Sequence, residues 1–309
     1  MRAFSRNPLR HVVLALTVLV AIFVAACGST SSTSAGLGAG TTLNIGTKVD
    51  ADSQLLGSMY KLLLQKQGYK VNLRLALGEV QPFFNAYKSG QIDIGPEFTG
   101  TGINLLQLPV TSDPQTAYNE VKQAYESQLK ITWLDASFNL NDDYGICVPK
   151  AIAQKYSLTS IADLSSHAST FTIYTQQDAI DSPVVLPALE TSYGLSFKKT
   201  TPIKEGLSFD AATQDGGDAA NVCYTTDAQI VTKNFVLLKD SKNVLPVYNP
   251  APVISDAVLS KHPDIATTLN ALASKLNTDN IVKLIKQVSV DSKDPGEVAQ
   301  QFLKDQGLL

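Results

Sequence analysis

Residues 70–102 read KVNLRLALGEVQPFFNAYKSGQIDIGPEFTGTG. The run opens on alternating apolar positions from Lys70 to Leu77, passes through a helix-like stretch over Val80–Gly90, and returns to an apolar run at Asp93–Phe98. Strand, helix, strand in close succession is the unit from which largely parallel α/β sheets are built. Its end has a different character. Phe98 stands among Thr99, Gly100, Thr101 and Gly102. Glycine lets a backbone approach another group closely, threonine offers a hydroxyl and phenylalanine a ring face. The segment reads as a glycine-rich loop at the mouth of a ligand cleft, since ligands in such folds collect at strand C-terminal ends.

The same alternation continues on both sides. Upstream, TLNIGT predicts a strand and residues from about Asp52 to Gln67 a helix. Leu55, Met59, Leu62, Leu63 and Lys66 form its stripe, Asp52 or Ser53 caps its start and Gly68 stops it. Downstream, YGICVP, TFTIYTQ, TTPIK, NVCYTT and FVLLKD predict a second strand series interleaved with helices such as VVLPALETSYG and TDAQIVTKN. Two polar, turn-rich segments flank it, residues 135–145 (DASFNLNDDYG) and 241–252 (SKNVLPVYNPAP), and these are read as the crossings of a hinge. At the C-terminus Ile265, Leu269, Leu272 and Leu276 share a helical face, and DPGEVAQQFLKDQG begins with an acid and a proline suited to a first turn. These helices are expected to pack on the first series.

The 309-residue chain exceeds one typical domain. Residues 1–26 read as a signal peptide, with Arg2, Arg6 and Arg10 ahead of an apolar run too short for a comfortable membrane span. Val24, Ala25, Ala26 and Cys27 resemble a bacterial lipobox, which implies lipidation at Cys27. Residues 27–41 are Gly/Ser/Thr-rich and read as a flexible tether. The net charge of −3 becomes −6 once three arginines and no acids leave with residues 1–26. A mildly acidic, mixed surface argues against nucleic acid or an anionic membrane face as partner. Cys147 and Cys223 then remain, and export permits a disulfide between them; two buried apolar thiols are the alternative. His167 and His262 have no second histidine or cysteine at ligand spacing, so no metal site and no cofactor is expected.

Taken together, IGTK (45–48), the long run 62–102, WLD (133–135), NDDYGICVPKAIAQKYSLTSIADL (141–164), VYNPAPVISDAVL (247–259) and EVAQQFLKDQGLL (297–309) resemble the glycine betaine, choline and carnitine substrate-binding proteins of ABC importers. The resemblance spans the chain from Thr42 onward. It implies a type II periplasmic-binding-protein fold: α/β, two lobes, two mixed sheets flanked by helices, and a hinged cleft. One lobe would comprise residues 42–143 plus 245–309 and the other 144–244. It also implies capture of a quaternary-ammonium osmoprotectant and delivery to a membrane permease with a cytoplasmic ATPase, at the extracytoplasmic face of the membrane.

Carried over by position, the aromatic box that holds a trimethylammonium group would be Phe98, where relatives usually have tyrosine, with Tyr144, Tyr224 and Tyr248. Lys48 and Thr101 match positions that hold a carboxylate. An ungapped count places Ser182 where relatives carry an arginine, and no arginine follows Arg74, so the bidentate clamp for a carboxylate is missing. Choline, whose hydroxyl needs no arginine, or another small solute is the alternative ligand, and a scaffold lipoprotein without a transport role is the alternative function. The box has a physical rationale of its own, because a quaternary ammonium has no N–H to donate and is attracted and desolvated by ring faces. Asp142 and Asp143 either lend negative potential to that box or form a turn, the turn being preferred. Tyr60, Tyr69, Tyr87, Tyr193 and Trp133 read as packing. No nucleophile elbow, phosphate loop or dinucleotide fingerprint is present, and an enzyme is not expected.

Overall fold

The computed structural model describes residues 37–204 and 206–309. The expected signal peptide, the expected lipidation site Cys27 and most of the expected tether lie outside the described residues. Of the tether, residues 37–41 form a turn against the fold, where the Gly38 N–H donates to the Gln67 carbonyl at 3.1 Å.

Two five-stranded sheets carry the architecture. The first runs β2 (Lys70–Arg74), β1 (Thr42–Gly46), β3 (Ile94–Phe98), β10 (Pro250–Ser255), β4 (Ile131–Trp133). The second runs β7 (Lys199–Pro202), β6 (Thr172–Thr175), β8 (Ala219–Tyr224), β5 (Tyr144–Pro149), β9 (Phe235–Leu238). The sheets are mixed rather than largely parallel. β10 is antiparallel to β3 and β4, and β5 is antiparallel to β8 and β9. The reason lies in the chain path. The chain leaves the first sheet after β4, enters the second at β5, and returns after β9 to enter the first at β10. β5 and β10 are therefore the strands that follow a crossing. Each starts at the cleft and runs away from it, whereas β1, β3, β6 and β8 run toward the cleft and end there.

Helix α1 (Ala51–Lys66) follows the expected span, with one correction at its start. Asp50 is the N-cap, accepting from the Ser53 N–H at 2.9 Å, so Asp52 sits inside the first turn instead of capping it. Gly68, at φ +93°, supplies the left-handed residue that ends the helix region. The C-terminal helices Asp264–Ala273, Thr278–Ser289 and Pro295–Asp305 pack on α1 and bury Ile265, Leu269, Ile281, Leu284, Ala299 and Leu303 in one core with Leu55, Leu56 and Met59. A separate core in the second sheet gathers Ile146, Phe171, Ile173, Leu189 and Val222. Tyr60, Tyr69, Tyr87, Tyr193 and Trp133 are all buried.

The expected glycine-rich loop is a correction as well. α2 (Val80–Lys88) leads through β3 directly into α3 (Thr99–Leu106), so TGTG is the first turn of a helix. Its glycines serve close packing. A Cβ on Gly100 would lie 2.3 Å from the Tyr248 ring, and one on Gly102 would lie 3.0 Å from Val121. Cys147 and Cys223, on the paired strands β5 and β8, are disulfide-bonded.

Candidate functional site

Because β3 and β8 end at the cleft and β5 and β10 begin there, their terminal residues meet. Phe98 closes β3, Tyr144 opens β5, Tyr224 closes β8, and Tyr248 precedes β10. All four line one cavity of about 50 Å³, together with Lys48, Thr101 and Asp142. Tyr144 and Tyr224 are cross-strand partners in the β5–β8 ladder. Their rings lie 4.7 Å apart at an interplanar angle of 31°, and the Tyr224 hydroxyl donates to that of Tyr144 at 3.0 Å. Tyr248 stands nearly perpendicular to Tyr144, 5.2 Å away at 88°. Its backbone is clamped on both sides, donating N–H to Asp143 Oδ1 at 2.8 Å and accepting from the Asp142 N–H at 3.1 Å. The rings thus form walls at differing angles rather than one stack, an arrangement able to face a rounded cation.

Lys48 follows β1 and is buried in the same cavity, but its ammonium is engaged. Its Nζ lies 2.7 Å from Glu97 Oε1 and 4.8 Å from the centre of the Phe98 ring. Burial alone would lower the lysine pKa; the fields of Glu97, Asp50 and Asp52 and the Glu97 hydrogen bond outweigh it and leave the group raised. Lys48 is therefore charged, with Glu97 as its counter-ion. One face of Phe98 already carries a cation.

The remaining lining is acidic to a degree that the sequence did not disclose. Asp50, Asp52, Glu79 and Asp178 join Asp142 around the cavity, with Val80 and Gln176. Burial pushes Asp142 up to about 7, and burial with the field of Asp142 pushes Asp52 up to about 7. Asp50 is raised well above the ordinary carboxylate value by burial and then by the field of Asp52. Asp52 hydrogen-bonds both Asp50 and Asp142, so the three carboxyls form a chain that cannot ionise fully while it faces itself alone. Thr226 Oγ1 donates to Asp142. Among the described residues no group of three or more acids, histidines or cysteines is placed to hold a metal ion. An acid-lined, aromatic-walled cavity has the chemistry to face an organic cation.

Of the residues expected from sequence, Lys48, Phe98, Thr101, Asp142, Tyr144, Tyr224 and Tyr248 share this cavity. Asp142 is a wall residue there, beyond the turn role preferred for it, while Asp143 serves the Tyr248 backbone. Ser182 lies elsewhere, in an adjoining chamber. Asp50, Asp52, Glu79, Gln176 and Asp178 were missed. The proximity of Asp50 and Asp52 to Lys48 in sequence was the available signal.

Fold and site together define a two-lobed α/β solute-binding protein. The match to known proteins sharpens this: residues 41–305 fit the OpuAC family, the substrate-binding domain of ABC-type glycine betaine transport systems. The chain belongs to that family. It is 31% identical over 267 residues to the carnitine transport binding protein OpuCC of Listeria monocytogenes, covering 85% of this chain and 86% of that one. It is 29% identical over 283 residues to the glycine betaine-binding protein YehZ of Escherichia coli K12, covering 88% and 92%. A crystal structure titled glycine betaine/carnitine/choline ABC transporter superposes with a TM-score of 0.71 at 26% identity, over 86% of this chain and 99% of the other.

Proposed function

We propose that the chain captures a quaternary-ammonium osmoprotectant, glycine betaine or a close chemical relative, in the cavity walled by Phe98, Tyr144, Tyr224 and Tyr248. The single observation that carries this reading is that three tyrosine rings from β5, β8 and the approach to β10 meet at one acid-lined cavity. Each good ring face contributes about 0.5–2 kcal/mol to holding an onium head. Several such faces supply a fair share of the roughly 8 kcal/mol that micromolar binding requires.

One lobe comprises residues 42–143 plus 245–309 and the other 144–244. Tyr144 and Tyr224 belong to the second, and Lys48, Phe98, Thr101 and Tyr248 to the first. Ligand contact with both lobes favours the closed state, because only differential affinity for that state shifts the equilibrium. The closed form is then presented to a permease with a cytoplasmic ATPase, from a position outside the membrane held by lipid on Cys27.

A second reading, a choline-type alcohol in place of a carboxylate, is favoured by the lining itself. Five acids surround the cavity, its one lysine is paired with Glu97, and no arginine follows Arg74. Calorimetric titration with glycine betaine, choline and tetramethylammonium separates the two. Tyr224→Ala and Phe98→Ala should each weaken onium binding by about 0.5–2 kcal/mol. Unchanged affinity in both variants overturns the box.

A further inference from the structure

Tyr144 and Tyr224 are held opposite each other by the β5–β8 ladder, whereas Tyr248 lies ahead of β10, which belongs to the other sheet. No strand ladder relates the third ring to the first two, yet it stands 5.2 Å from Tyr144 at 88°. The bonds that tie the three backbones together converge on Asp143, the residue before Tyr144. Its carbonyl accepts from the Thr225 N–H at 2.8 Å and its N–H donates to Thr225 Oγ1 at 3.0 Å, which fastens it to the residue after Tyr224. Its side chain reaches the second crossing, where Oδ1 accepts from the Tyr248 N–H at 2.8 Å. Thr225 completes the junction by donating Oγ1 to the Asn141 carbonyl at 3.2 Å.

Asp143 makes these bonds from outside the box. It is not among the residues that line the aromatic cavity; with Asn141 and Thr225 it lines a different one of about 540 Å³, and Tyr144 lines both. Asp143 can therefore act on a solute in the box through the tyrosines it holds or through its charge. The two are separable, because asparagine keeps a side-chain acceptor and drops the charge.

We infer that Asp143 is a positioning residue for capture: it fixes the Tyr248 wall relative to the Tyr144–Tyr224 pair, so that three ring faces stand ready before the solute arrives. The inference rests on the onium reading of the cavity and extends it to a residue that does not touch the solute. Walls already in place spare the ligand the cost of ordering them. With the Asp143 acceptor gone, Tyr248 keeps its bond from the Asp142 N–H, but its own N–H loses its partner and the ring must be settled by the ligand. Since the rings face the methylated head, the loss is common to every solute that carries one.

The test is calorimetric titration of the full chain with tetramethylammonium and with choline at pH 8, above the value of about 6 to which burial pushes Asp143, so that the carboxyl is ionised. Asp143→Ala should weaken both cations by about tenfold and in equal proportion, the size of one hydrogen bond to a charged group. Asp143→Asn should bind both within about twofold of the unaltered chain. Near-UV circular dichroism of the ligand-free proteins reads ring placement: the tyrosine signal should change in the alanine variant and return in the asparagine one. Unaltered affinity or an unaltered signal in a folded Asp143→Ala protein overturns the inference. So does an asparagine variant as weak as the alanine one, which would make the charge the working part, or a loss confined to choline, which would put Asp143 beside the hydroxyl. If Asp143→Ala fails to fold, Thr225→Val removes the other arm of the junction at a residue outside the cavity lining. It should weaken both cations together, and unaltered affinity there overturns the inference. No binding of either cation by the unaltered chain overturns the onium reading itself, and the positioning role falls with it.

Discussion

At the level of single residues, the Lys48–Glu97 pair is the most exposed to test. Both side chains are buried, the ammonium and carboxylate are 2.7 Å apart, and Glu97 Oε1 also accepts from the Phe98 N–H at 3.0 Å. Removing one member of a buried pair strands the other charge, at a cost of about 3–5 kcal/mol. Lys48→Met should therefore lower unfolding stability by that order in a urea titration, and Lys48→Met with Glu97→Gln should recover a good part of it. A double variant no more stable than the single would show that Lys48 acts through something other than Glu97. The pair also illustrates what the sequence disclosed. Lys48 and the tyrosines, expected at the site through the family resemblance, do line one cavity. The counter-ion of Lys48 was not expected, because Lys48 and Glu97 are 49 positions apart and meet only when β1 and β3 align as neighbours. The acids other than Asp142 were hidden for the same reason: Asp50 and Asp52 follow β1, Glu79 precedes α2 and Asp178 follows β6. Read one at a time, each is an ordinary cap or turn residue.

At the level of elements, strands were the most legible, since period-two patterning is local; YGICVP is β5 residue for residue. α3 was not. Thr99, Gly100, Thr101 and Gly102 are weak helix formers, and their propensity points to a loop. Tertiary packing overrides it: Gly100 accommodates the Tyr248 ring, and Thr99 ties the helix start to the β10 approach, donating Oγ1 to the Val247 carbonyl at 2.7 Å and accepting from the Asn249 N–H at 3.0 Å. This gives α3 a role in placing Tyr248. Gly100→Ala would bring its Cβ to 2.3 Å from Tyr248 and must displace the ring or the helix. Overpacking of this kind costs about 1–3 kcal/mol. The variant should melt at lower temperature and bind choline more weakly, whereas Gly102→Ala, whose nearest contact is Val121 at 3.0 Å, should cost less on both counts. Wild-type choline affinity in a folded Gly100→Ala protein would show that Tyr248 does not need its present position.

For the whole molecule, capture of a cation in the acid-lined cleft should be coupled to protons. Asp52 and Asp142 are pushed up, chiefly by burial, to about 7 from an ordinary 3.8. From about pH 4 to about pH 7 the folded chain thus holds protons that the unfolded chain has released, and ligand-free stability falls as pH rises through that range. Above it both states are ionised and these groups add no further slope. An onium cation placed beside the carboxyls favours their charged forms, lowers their pKa values and expels protons on binding. Affinity should therefore climb between about pH 6 and about pH 8, by at most about tenfold per pH unit for each proton released. The two trends oppose each other: the empty protein weakens as pH rises while its hold on the cation strengthens. Calorimetry of choline binding in two buffers of different ionisation enthalpy reads the proton release directly. Asp142→Asn, which leaves one titrating carboxyl fewer in the chain from Asp50, should reduce that release and flatten the affinity profile. A profile that is level from about pH 6 to about pH 8, with no buffer dependence of the heat, would mean that the cation sits away from Asp52 and Asp142, and the acidic wall would then have no part in selecting the solute.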